Sequence, residues 1–81
     1  GDQEFLAPLA ADKKIPLAQR LADARRIFFS GNKIYIADEN NNFFSYDEEN
    51  GMFKYPPVYG LVNDAKNWYF VAEQNMWSLA F

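Results

Sequence analysis

Arg26–Ser30 (RIFFS), Gly31-Asn32 (GN) and Lys33–Ala37 (KIYIA) are the stretch on which the fold turns. Two short runs rich in β-branched and aromatic residues flank a two-residue connection, the pattern of a tight β-hairpin. Glycine in the first central position suits a type II′ turn, which needs positive φ there. Both runs are apolar on both faces: Ile27 and Phe29 alternate with Phe28, and Ile34 and Ile36 with Tyr35. Strands of that kind are covered on both sides.

The pattern continues downstream. Asn42–Asp47 (NFFSYD) and Met52–Tyr55 (MFKY) read as a second hairpin around Glu48-Glu49-Asn50-Gly51. Gly51 takes the positive-φ position there, in a loop longer and more forgiving than the first turn. Pro56-Pro57 cannot sit in a central strand and marks a crossing. Val58–Val62 reads as a short strand and Asn63–Asn67 as a turn. Trp68–Glu73 and Met76–Phe81 then form a last hairpin around Gln74-Asn75.

Upstream the reading changes. Gln3–Ala11, broken by Pro8, is an extended lead-in within residues 1–15. Leu17, Leu21, Ala24 and Phe28 recur at helical spacing. Pro16 suits a first helical turn, and Arg25 and Arg26 fall where the negative end of a helix dipole would lie. The expected element is one helix from about Pro16 to Arg25. The expected fold is therefore α+β in one small domain: an N-terminal helix packed on an antiparallel sheet of five to six strands. A mainly-β sandwich with a peripheral helix is the alternative.

Asn32–Asn40 also aligns with Asn67–Asn75, and Phe43–Tyr46 with Met76–Leu79, as in a repeated antiparallel unit. Within the first copy, Tyr35-Ile36-Ala37, Tyr46-Asp47, Gly51 and Phe53 follow one another as strand, strand, closing glycine and aromatic. On these residues Gly31–Phe53 resembles one blade of a β-propeller of the quinoprotein type. It departs from that pattern at Asn41-Asn42, where such repeats carry a glycine turn. The resemblance implies a blade-like sheet and carries over no cofactor or catalytic residue. A closed propeller needs several blades of about 40 residues each.

Composition narrows the function. Eighty-one residues make one domain. A chain of this mass buries roughly 63% of its extended surface, enough for a thin core. Eleven acids against eight bases give a net charge of −3, and no basic run is longer than a pair. Nucleic acid and anionic membrane both call for a concentrated positive field, so neither partner is expected. The chain has no Cys, His or Thr. Thiol nucleophiles, common zinc sites and the usual neutral-pH acid/base group are therefore excluded, and no cofactor is expected. The C-terminal run ends in Phe, as outer-membrane strands do, but is shorter than the ~9–11 residues that span a bilayer. No apolar run approaches the ~20 residues of a membrane helix, and no charged-then-apolar signal segment opens the chain. Gly1 reads as a remnant ahead of a trimmed start at Asp2, which leaves room for a removed leader. The expected compartment is extracytoplasmic, either periplasmic or secreted.

Asp38, Asn40, Asn42 and Glu49 fall at ligand positions of a calcium loop, yet Phe43 stands where that loop needs glycine, and a solvated hairpin loop is expected instead. Adjacent Glu48-Glu49 on a loop point apart and make no acid/base pair. The aromatics carry the functional reading. They make up 19% of the chain, and most of its eight asparagines lie beside them. Tyr35, Tyr46, Tyr55, Tyr59 and Trp77 pair apolar bodies with polar tips, the profile of binding hot spots. Asn40, Asn41 and Asn42 stand next to them as candidate contacts. Phe28, Trp68 and Phe70 are expected in the core. The expected function is a non-catalytic protein-interaction or inhibitor-like module whose aromatic sheet face meets a protein partner or a second copy, as a homo-oligomer. The alternative is a carbohydrate-binding module with Tyr and Trp platforms and Asn-rich loops.

Overall fold

The computed structural model describes residues 6–12, 15–64, 67–72 and 75–78. Eight strands and one short helix follow in the order β1 (Ala10–Ala11), α1 (Leu17–Ala22), β2 (Ala24–Ser30), β3 (Lys33–Asp38), β4 (Phe43–Asp47), β5 (Gly51–Tyr55), β6 (Val58–Asp64), β7 (Asn67–Ala72) and β8 (Asn75–Ser78). They form a five-stranded sheet, β1-β5-β4-β3-β2, and a three-stranded sheet, β6-β7-β8, antiparallel throughout.

The α+β expectation is corrected: strand outweighs helix, 58% against 10%, and the strands divide between two sheets. α1 has six residues, none of them buried, so it forms no layer on the sheet. The helical spacing extended through Ala24 and Phe28, but pairing of Ala24 with Asp38 and of Arg26 with Ala37 draws that segment into β2. Arg25 and Arg26 thus sit in a strand. Propensity over less than two turns is weak, and a hydrogen-bonded neighbour strand overrides it. Half-buried Leu17 and Leu21 still touch a small cluster of Ile36, Phe44 and Met52. Arg20 lies with its guanidinium carbon 3.8 Å above the Phe44 ring and pairs with Asp12.

The hairpin at Gly31-Asn32 pairs Ser30 with Lys33, and Gly31 has φ 59° while Asn32 does not share the positive φ, the sign pattern of a type II′ turn. Gly51 has φ 80°, but it opens β5 opposite Asp47 rather than riding in a free loop. A Cβ at either position meets nothing within 4 Å, so the cost of a side chain is backbone strain alone. Gly31→Val and Gly51→Val are each expected to lose about 1–3 kcal/mol. Denaturant midpoints check this, and a wild-type midpoint for either variant would count against the assigned turn.

At Pro56-Pro57 the chain leaves the first sheet, whose β5 does not pair with β6. Proline cannot donate to a ladder, which is why the sheet breaks there. β6 extends through Asp64, and Asp64 pairs with Asn67 as Ser30 pairs with Lys33. The hairpin register therefore aligns Lys33 with Asn67, one residue away from the echo between Asn32 and Asn67. Even so, Ala37 and Ala72, which the echo aligns, both lie in the larger core. The expected run of the last strand beyond Ser78, the center of the turn after Asp64, and the packing of Trp68 and Phe70 lie outside the described residues.

The larger core joins the sheets. Leu6, Tyr35, Phe43, Tyr55, Val58 and Ala72 are buried together, with Phe28, Leu61 and Trp77 packed against them. Phe28, Tyr35 and Phe43 stack at centroid separations of 5.0 Å and 5.8 Å, and Tyr55 meets Phe43 edge-on at 5.4 Å. The second sheet thus covers one face of the first.

Candidate functional site

Three irregularities converge where the edge of β2 faces the start of β6. β2 bulges between Ala24 and Arg26, and β6 between Val58 and Gly60. Such bulges re-aim side chains, here those of Arg25 and Tyr59. Between them lies the loop from Asp38 to Asn42. Asp38 Oδ1 accepts the backbone N–H groups of Asn40 (2.9 Å) and Asn42 (3.0 Å), and Oδ2 accepts the Asn42 amide (2.9 Å). This carboxylate is the hub of the loop, and it leaves Asn41 at φ 65°, a left-handed conformation asparagine tolerates. Asn41 then accepts the Val58 N–H through its carbonyl oxygen at 2.9 Å, tying the loop to the second sheet.

The result is a cleft of about 250 Å³ whose lining includes Ala37, Phe43, Val58 and Leu61. Arg25, Arg26, Asp38, Asn41 and Tyr59 stand around it. Both arginines are exposed, and among the described residues neither has an ion-pair partner. Tyr59 is 66% exposed.

Of the residues expected to make contact, only Asn41 and Tyr59 reach this cleft. Tyr35 and Tyr55 are both buried between the sheets. Tyr55 shares a hydrogen bond with Ser45 Oγ at 3.0 Å. Burial, followed by the proximity of Tyr55 and Asp47, pushes the Tyr35 phenol pKa up. Their alternation placed them on one face of the sheet, and that face became the interior once the second sheet covered it. Trp77 is half-buried, its indole N–H donating to the Ala72 carbonyl at 2.9 Å. Asn40 is exposed and Asn42 half-buried, the latter with its amide already given to Asp38. Tyr46 is half-buried on the opposite face, beside Ile34 and the smaller cluster.

That opposite face carries the other candidate surface. Register places Phe29, Ile34, Tyr46 and Met52 in one row, and Ile27, Ile36 and Phe44 in the next. Leu17 and Leu21 touch the Ile36, Phe44 and Met52 part of these rows. Toward β2 the face is open, with Phe29 72% exposed and Ile27 44% exposed.

Asp47, at the end of β4, accepts the Asn50 N–H at 2.7 Å. This bond chiefly holds its carboxyl below the ordinary 3.8, and burial opposes it. It serves the turn. Arg25, expected at the end of a helix, and Arg26, expected to open a strand, were not among the expected contact residues. The signal that could have found them is the bulge at the start of β2, which turns Arg25 toward the cleft, and local sequence does not show it.

Fold and surfaces together define a small domain of antiparallel β-sheets around an aromatic cluster. No family model, curated protein or solved structure matches the chain.

Proposed function

We propose that this chain is a non-catalytic protein-interaction module, inhibitor-like in design, that binds through the open aromatic face of its first sheet. The observation that carries the reading is the exposure of Phe29 and Ile27 beside half-buried Ile34 and Tyr46. These four residues form one apolar surface on the edge strand β2 and its neighbors, flanked by a helix too short to cover it. Contiguous apolar surface of this kind marks an interaction site in a folded domain. The first occupant is a second copy of the chain. Sugar binding is less well supported, since Tyr35 and Tyr55 are buried and Asn42 serves its own loop.

Light scattering at micromolar concentration is expected to return a mass above the 9.4 kDa of one chain. Phe29→Lys is expected to bring it down to one chain without unfolding, because Phe29 is exposed. A 9.4 kDa particle for the unmodified protein across that range overturns self-association.

A further inference from the structure

The geometry points to a second binding site: the cleft between β2 and β6 accepts an acidic side chain of an extended peptide, held by Arg25 and Arg26 over the Tyr59 ring. This site lies apart from the open sheet face, and it stands or falls independently of that reading.

Charge is the first argument. In a chain of net charge −3, two of its eight basic residues adjoin one small cleft, and neither has an ion-pair partner among the described residues. The one carboxylate at the rim, Asp38, already accepts three hydrogen bonds within its own loop. Guanidinium forks match a carboxylate with two parallel N–H···O bonds, a geometry an ammonium cannot offer. Size is the second argument. At about 250 Å³ the cleft is below the ~300–1,000 Å³ usual for small-molecule sites and suits one side chain. Apolar Phe43, Val58 and Leu61 in the lining would lie against its methylene groups. The sheet edges beside the cleft favor a peptide over other carboxylates. The strands that bound the cleft, β2 and β6, are each the edge of their sheet. An edge strand offers backbone groups to which an extended chain can add.

The test titrates the full chain, labelled with ¹⁵N, with two capped peptides that differ only in charge, Val-Glu-Val-Glu-Val and Val-Gln-Val-Gln-Val. The Glu peptide is expected to give saturable amide shifts at Arg25, Arg26 and Tyr59–Leu61. The Gln peptide, and the Arg25→Gln/Arg26→Gln protein with the Glu peptide, are each expected to bind at least about tenfold more weakly, as loss of a charge pair at a recognition site does. Both arginines are exposed, so the variant should keep the remaining spectrum unchanged, which the same data establish. The proposal is overturned if the Glu peptide gives no shifts at millimolar concentration, if the Gln peptide binds equally, or if the shifts fall elsewhere. It is also overturned if glucuronate alone saturates the same amides as tightly as the Glu peptide, which would make this an acidic-sugar site.

Discussion

Phe43→Ala is expected to remove a large share of the folding stability of this domain. Phe43 is 1% exposed and lies in the cluster that joins the two sheets. Its ring lies 5.8 Å from Tyr35, 6.2 Å from Phe28 and 5.4 Å from Tyr55, so truncation strips contacts from three aromatic neighbors at once. Phe→Ala changes in cores cost about 3–5 kcal/mol, through lost transfer energy and the cavity left behind. A chain of this length holds roughly 4–12 kcal/mol in all, at about 0.05–0.15 kcal/mol per residue. Phe43→Leu keeps most of the volume and is expected to lose less than half as much. Phe29→Ala, on an exposed side chain, should stay within about 0.5 kcal/mol when the proteins are compared as single chains at high dilution. Urea midpoints read by circular dichroism rank the three. A Phe43→Ala midpoint close to that of Phe29→Ala would show that the sheets do not meet through this ring.

The second large effect is expected at Asp38. Its carboxylate accepts two backbone N–H groups and one amide, and the loop it shapes carries the Asn41 carbonyl that receives the Val58 N–H. Asp38→Ala leaves those donors without their acceptor. Hydrogen bonds to charged groups contribute about 1.5–3 kcal/mol each, and exposure at Asn40 reduces the sum, so a loss of about 2–4 kcal/mol is expected. Asp38→Asn keeps one acceptor oxygen and should lose less. The Val58 amide provides a second readout: its hydrogen exchange should speed up in Asp38→Ala well beyond what global destabilization accounts for. An Asp38→Ala protein as stable as the original would mean that the loop is held by something else.

These two residues show how unevenly the molecule was legible. Asp38 reads as a calcium-loop position, and the structure makes the same pattern of Asp and Asn a self-satisfied turn, because an Asx side chain bonds its own backbone two to four residues on. Phe43 was noticed only as the wrong residue for that loop. Tyr35 and Tyr55 read as binding aromatics because an apolar body with a polar tip suits a core as well as a contact surface, and residue type does not report what covers it. Ala24 and Arg25 read as a helix end because apolar residues at helical spacing outweighed, in local terms, the strand partner at Asp38.

What the sequence by itself determined is local. The turn at Gly31-Asn32, the positive φ of Gly51, the break at Pro56-Pro57 and the need to cover both faces of β2 and β3 follow from backbone sterics and residue alternation over a few positions. The tertiary structure alone decided which strands share a sheet, and that the second sheet rather than α1 closes over Tyr35 and Phe43. It alone also placed β2 and β6 at sheet edges, with the two arginines and Tyr59 around one cleft. Those are contacts between segments far apart in the chain. They are selected by total buried area and hydrogen-bond satisfaction, which no window of neighboring residues contains.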